Sequence, residues 1–184
     1  MQEIVLGEAV FSDTVCATDP CYAEGTWCGE FDLKVKPGIY TGKTITGESG
    51  SWGIRNWRLT TTKKDEEIVE WRFCIELGVD AGTMSIYDKP HYDELNTSGD
   101  WMQLTPRSGT PNGFVVSSGY GDGAYHLFTG LNADEEIVGL SVLFLTPNGF
   151  NKRVFADTDS VEFSDPRFIP FAGCPVEDFI EEEE

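Results

Sequence analysis

Hydrophobic and polar positions alternate with a period of two through most of the chain. Val69, Trp71, Phe73, Ile75 and Leu77 fall on one side of a stretch whose other side carries Glu70, Arg72, Cys74 and Glu76. Successive side chains on a strand point to opposite faces, so this is the pattern of a half-covered strand. Phe31, Leu33 and Val35 alternate in the same way with Asp32, Lys34 and Lys36. Pro37-Gly38 follows at once, which predicts a turn into the next strand. The stretch Glu136–Thr146, EIVGLSVLFLT, becomes apolar on both faces toward its end. That predicts a central strand covered on both sides. Shorter strands are predicted near Ile4–Phe11, Trp52–Thr61, Met84–Tyr87, Phe114–Ser117, Tyr125–Thr129 and Val161–Phe163.

Helical periodicity is scarce. Lys89–Asn96 (KPHYDELN) fits one or two turns behind its proline, and the final VEDFIEEE fits a frayed end. Many short strands punctuated by Gly, Pro and Asn predict an all-β, mainly antiparallel fold. The expected architecture is a β-sandwich or a partly open barrel with at most one or two short helices. The length suits one β-rich domain over residues 1–175, with 176–184 as an acidic tail expected to be disordered. A short echo, Asp19-Pro20-Cys21-Tyr22 against Asp88-Lys89-Pro90-His91-Tyr92 and Asp165-Pro166-Arg167-Phe168, leaves two similar halves open. Its simpler reading is three strand terminators. Proline cannot continue a central strand, and aspartate bonds nearby backbone amides.

Charge changes the picture next. With 13 basic and 32 acidic residues the formal net charge is −19. A chain this acidic is repelled by nucleic-acid backbone and by anionic membrane, so neither is an expected partner. A basic protein partner is compatible with it, including one whose nucleic-acid site the acidic surface mimics. No apolar run approaches the roughly 20 residues that span a bilayer. The start MQEIVLGEAVF lacks the pattern of a secretory signal. The five cysteines, Cys16, Cys21, Cys28, Cys74 and Cys174, are odd in number and suit a reducing compartment. A cytoplasmic location is expected on these grounds.

Two segments carry candidate chemistry. Ser49–Lys64, SGSWGIRNWRLTTTKK, contains Trp52, Arg55, Trp57, Arg58, Lys63 and Lys64 and no acidic residue. Alternation would place Trp52, Ile54 and Arg58 on one face and Arg55, Trp57 and Leu59 on the other. Arginine beside tryptophan stacks on planar rings and binds phosphate or carboxylate through paired hydrogen bonds. The plainer alternative is two core tryptophans whose neighbouring arginines pair with acids. The second segment is Ser117–His126, SSGYGDGAYH. Glycines at 119, 121 and 123 permit positive φ, and Asp122-Gly123 is a hairpin signal, so a glycine-rich hairpin tip is expected. A backbone cradle for a ligand is the functional alternative. A phosphate loop of Walker type is disfavoured, because it opens a helix and carries a cation.

Other chemistries find less support. Cys16, Cys21 and Cys28 have one pair spaced for zinc, which Cys174 or His91 would have to complete. Buried free thiols are the plainer reading of them. A nucleophilic Cys21 needs His91 or His126 as its base. Acids abound, but no pair is singled out for hydrolysis. Neither Asp122 nor the stretch Asp157–Glu162 supplies a calcium loop. No catalytic set, metal or cofactor is therefore assigned.

Three pieces, SDTVCATDPCY, VDAGTMSIYDKPHYDE and SSGYGDGAYHLFTGLNADEEIVGLSVLF, together resemble an uncharacterised bacterial and phage domain family of unknown function. The shared pattern is Asp-Pro-Cys-Tyr, then Val-Asp-x-Gly, then Ser-x-Gly-Asp-Gly-x-Tyr. The middle piece departs from it with Asp88-Lys89-Pro90 in place of Asp-Pro. The resemblance implies a β-rich fold and a phage or mobile-element origin, hence the host cytoplasm, and it implies no activity. The reading that follows is a non-enzymatic binding protein, a phage-type accessory or anti-defence protein. It would hold a small nucleotide-like ligand with Arg55, Trp57, Arg58, Tyr120, Asp122 and Tyr125. The alternatives are an acidic protein that docks on a basic partner and a cysteine- or metal-dependent hydrolase.

Overall fold

A computed structural model describes residues 1–23, 25–26 and 32–145. The chain forms two antiparallel sheets packed face to face. The larger holds β1 (Gln2–Phe11), β4 (Gly38–Glu48), β5 (Ile54–Lys63), β6 (Glu70–Val79), β10 (Gly123–Leu131) and β11 (Ile137–Leu143), in the order β1-β4-β5-β11-β10-β6. The smaller holds β2 (Thr14–Thr18), β3 (Asp32–Lys34), β7 (Thr83–Asp88), β8 (Arg107–Thr110) and β9 (Gly113–Ser117), in the order β3-β2-β7-β9-β8. The architecture is the all-β sandwich that the alternation predicts. Among the described residues no helix is long and apolar enough to cross a membrane.

The apolar run 136–146 becomes β11, inside the larger sheet between β5 and β10. Val138 to Leu143 are buried without interruption. Strand β6 keeps its span but not its clean alternation. Its register against β10 passes from Ile75 opposite Leu127 to Phe73 opposite Phe128, leaving Cys74 without a partner residue. This bulge and the strand's edge position leave Val69 60% and Ile75 36% exposed. The sheets meet over Phe11, Tyr40, Leu59, Phe114, Leu127 and Leu140, all within 1% of full burial. Phe114 lies so close to β4 that a Cβ on Gly42 would stand 2.3 Å from its ring.

The short helical segment at Lys89–Asn96 is realised as a 3-10 turn, Lys89–His91, leading into α1 (Tyr92–Ser98). A further short helix, α2 (Trp101–Leu104), follows without a sequence signal. The strand read at Val161–Phe163, the terminal VEDFIEEE and the acidic tail lie outside the described residues.

The hairpin expected at SSGYGDGAYH is not formed. β9 pairs with β7 and β8, whereas β10 pairs with β6 and β11, so the segment carries the chain from one sheet to the other. Glycine supplies the required backbone. Gly121 has φ of 109° and Gly123 of 157°, and Ser118 Oγ and Tyr125 OH both donate to the Gly121 carbonyl at 2.7 and 2.8 Å.

One buried amide stitches the sheets together. Asn56 on β5 is fully buried, and its Nδ2 donates to the Pro106 and Ser117 carbonyls, each at 2.9 Å. Its Oδ1 accepts from Arg107 Nε at 2.9 Å. A bulge presents it this way. Ile45 stands opposite Arg58 and Thr46 opposite Asn56, so Trp57 has no partner residue. The simple alternation expected along Trp52–Thr60 is broken at that point.

Candidate functional site

Strands β4 and β5 are joined by a tight turn at one end of the sandwich. Ser49 N–H donates to the Gly53 carbonyl at 2.9 Å, and a 3-10 turn, Gly50–Trp52, fills the space between them. Gly50 and Gly53 have φ of 58° and 67°, conformations that cost little only for glycine. These glycines flank Trp52 and hold it clear of the core, at 55% exposure.

Two groups gather on that indole. The Arg55 guanidinium carbon lies 5.8 Å from the ring centroid, within range of a cation–π contact. The Tyr120 ring approaches from the inter-sheet crossing, with centroids 5.4 Å apart and planes inclined by 46°. The two segments singled out in the sequence therefore meet. Tyr120 is 39% exposed, so one face of the cluster is open to solvent.

Two buried polar atoms at this turn have no hydrogen-bonding partner among the described residues, Ser49 Oγ and Arg55 Nε. Gly47 stands opposite Arg55 and Glu48 opposite Ile54, so Ser49 faces Gly53 across the turn. Ser49 and Arg55 therefore stand at the same end of the hairpin, on either side of the turn.

The remaining residues expected at a ligand site are placed differently. Asp122 is exposed on the same crossing. Trp57 is 8% exposed, and its Nε1 donates to the Gly47 carbonyl at 3.2 Å. Arg58 is 7% and Tyr125 2% exposed. Tyr125 meets Phe144 edge-on at 5.2 Å, and burial raises its phenol above the ordinary range. Trp57, Arg58 and Tyr125 thus offer little surface to a ligand. The candidate site narrows to Trp52, Arg55 and Tyr120, with Ser49 in the same turn as Trp52 and Asp122 exposed on the crossing that carries Tyr120. Trp52 and Ser49 were not singled out as site residues from sequence. The signal for Trp52 was the flanking pattern Gly-Ser-Trp-Gly, which forces a turn and turns the indole outward.

Away from this cluster, a concavity of about 400 Å³ lies beside α1 and α2. Tyr87, His91, Glu94, Asp100, Gln103 and Asn112 supply its polar wall, and no lysine or arginine is among the described residues lining it. His91 Nε2 stands 3.8 Å from Asp88 Oδ2, while Asp88 Oδ1 accepts from Ser12 N–H and Oγ at 2.7 Å each.

The Asp-Pro-Cys-Tyr segment is a packing knot. Asp19 is fully buried, with Oδ1 accepting from Cys21 N–H at 3.0 Å and Oδ2 from Asp80 N–H at 2.9 Å and Ala81 N–H at 2.6 Å. Tyr22 OH donates to Asp80, and Tyr92 OH donates to the Tyr22 carbonyl at 2.6 Å. Two of the three motif pieces therefore meet at this corner. Cys21 is exposed there, and its thiol is raised above the ordinary range by desolvation first, then by Asp19 and Asp80. That is the opposite of what an activated thiolate requires. Cys16 is buried, with Sγ donating to Asp32 Oδ1 at 3.2 Å. Cys28, Cys174 and the stretch 157–162 lie outside the described residues. Among those described, no three His, Cys, Asp or Glu side chains gather as metal ligands.

Comparison with protein-family models, curated proteins and solved structures finds no match for this chain. The family resemblance accordingly rests on the quoted motifs alone.

Proposed function

We propose that the chain is a non-enzymatic binding protein whose ligand is a planar, nucleotide-like molecule seated on Trp52 and Tyr120 beside Arg55. The observation that carries this reading is the 5.4 Å approach of Tyr120 to Trp52. It joins an exposed aromatic pair to a guanidinium in a chain of net charge −19. Aromatic faces accept any π-system, and each stacked base is worth about 1–3 kcal/mol. Arginine adds attraction for an anionic group on the same ligand. The phage-type setting is the part of this reading supported by motif resemblance; the binding role rests on the aromatic pair and Arg55. Titration calorimetry of the folded protein against nucleosides and nucleotides tests it. Heat that saturates in the micromolar range or below, and shifts to higher ligand concentration in Trp52→Ala, is the expected result. A full panel without heat removes the reading.

A second reading, docking onto a basic protein, is favoured by the cleft beside α1. Glu94 and Asp100 line it without a compensating lysine or arginine among the described residues. A lysine or arginine side chain is the complementary occupant. Affinity for such a partner falls steeply with added salt, because exposed charge pairs are screened. A complex indifferent to ionic strength counts against it.

A further inference from the structure

The buried polar atoms at the turn that carries Trp52 point to a chemistry more specific than stacking. We infer that Ser49 Oγ and Arg55 Nε form a subsite for one anionic phosphoryl oxygen, and that the ligand of the Trp52–Tyr120 cluster is a nucleoside monophosphate. This rests on the reading of the cluster as a site for a planar ligand.

A buried donor left without an acceptor loses its hydration and gains nothing in exchange. Ser49 Oγ and Arg55 Nε are both in that position, at the same turn. Arg55 also reaches the Trp52 indole with its guanidinium carbon. A guanidinium N–H is a donor only, and a hydroxyl donates one proton. Their shared complement is an acceptor, and the cation favours an anionic one. Tetrahedral phosphate places one oxygen on these donors and directs its ester toward the ring that stacks above them.

The number of phosphates follows from charge. Within Ser49–Lys64 the other cations are Arg58, Lys63 and Lys64. Arg58 is buried, Lys63 ends β5 opposite Tyr40, at the other end of the strand from Arg55, and Lys64 beyond it is paired with Glu8 at 3.2 Å. Glu48 flanks Ser49 and is exposed, as is Asp122 on the crossing. One guanidinium matches one phosphate, and each further phosphate enters the field of a protein carrying −19.

The test compares adenosine, adenosine monophosphate and adenosine triphosphate by calorimetry on the wild type, Ser49→Ala, Arg55→Gln and Trp52→Ala. The monophosphate is expected to bind at least about tenfold more tightly than the nucleoside, and more tightly than the triphosphate. Arg55→Gln and Ser49→Ala should each shrink the ratio of monophosphate to nucleoside affinity. Trp52→Ala should weaken nucleoside and nucleotide alike. Nucleoside binding with no gain from phosphate overturns the subsite and leaves the planar-ligand reading intact. If neither nucleoside nor nucleotide binds, the planar-ligand reading falls, and inorganic phosphate decides the subsite on its own. Amide shifts confined to Ser49–Arg55, present in the wild type and absent in Arg55→Gln, then uphold it. An unchanged amide spectrum overturns it.

Discussion

Tyr120 and Trp52 touch although one belongs to the crossing between sheets and the other to a turn within the larger sheet, with ring centroids 5.4 Å apart. Both are partly exposed, so neither is needed to fill the core. Substitution should separate binding from stability. Trp52→Ala and Tyr120→Ala are each expected to weaken a planar ligand by about five- to a hundredfold, the range set by the loss of about 1–3 kcal/mol of stacking. Folding stability should move by no more than about 0.5 kcal/mol, as is usual at exposed positions. Calorimetry and urea unfolding on the same preparations check both halves.

Asn56 should behave in the opposite way. Removing its amide takes a 2.9 Å hydrogen bond from each of the Pro106 and Ser117 carbonyls and from Arg107 Nε, although the Pro106 carbonyl still accepts from Ser117 N–H at 2.7 Å. Each buried group left unsatisfied costs about 1–3 kcal/mol, so Asn56→Ala is expected to lower stability by about 3 kcal/mol. Asn56→Asp should be no rescue, because a carboxylate would face two carbonyl acceptors. Urea denaturation midpoints measure the loss. Because Arg107 shares the network, the double substitution with Arg107→Ala should cost less than the sum of the singles.

How much of this was legible in the chain depends on whether the determining contact is local. The central position of β11 could be read because Val138 to Leu145 carry their burial in their own hydrophobicity. The Asp122-Gly123 turn was legible as a turn, but its destination was not. The same dipeptide serves a hairpin or a crossing, and only the pairing of β9 with β7 decides between them. The bulge at Trp57 is likewise set by the partner strand. It puts Asn56 against Arg107 and breaks an alternation that sequence extends unbroken. The candidate site was half legible. Arg55 and Tyr120 stood out by composition, whereas Ser49 emerges only from a hydroxyl left unpaired in the folded hairpin.

Asp19 anchors the corner where two motif pieces meet. Its carboxylate accepts three backbone N–H groups, from Cys21, Asp80 and Ala81. Asp19→Ala leaves these without their acceptor and should cost about 3 kcal/mol. Asp19→Asn keeps one carbonyl-type oxygen but turns an amine toward donors, and should recover only part of that. Hydrogen exchange at the Asp80 and Ala81 amides distinguishes local loosening from global loss. Faster exchange there, with slowly exchanging amides retained in β11, is the local result. Unchanged protection would show that the carboxylate is not what holds the turn.

The pH range of the fold should carry the signature of one surface cluster. Lys36 Nζ lies 2.6 Å from Glu66 and 2.7 Å from Glu136, and Asn132 Nδ2 donates to both carboxylates at 3.1 and 3.0 Å. The Lys36 ammonium, followed by the Asn132 amide, holds both carboxyls below their ordinary value of 4.5. The Glu136 and Glu66 carboxylates in turn raise Lys36 above 10.5. A carboxyl depressed in the folded state stabilises above its unfolded value and loses that contribution as pH falls through the folded one. A lysine raised in the folded state stabilises below its unfolded value and loses it as pH climbs through the folded one. The cluster therefore contributes fully between about pH 4.5 and 10.5 and fades on both sides. Lys36→Met removes the shared partner, so its stability deficit should be largest near neutrality and shrink at both ends. Thermal unfolding of the wild type and Lys36→Met from pH 3 to 11 gives the comparison. A deficit constant across that range would assign the loss to packing of the lysine stem against the β10–β11 turn rather than to charge.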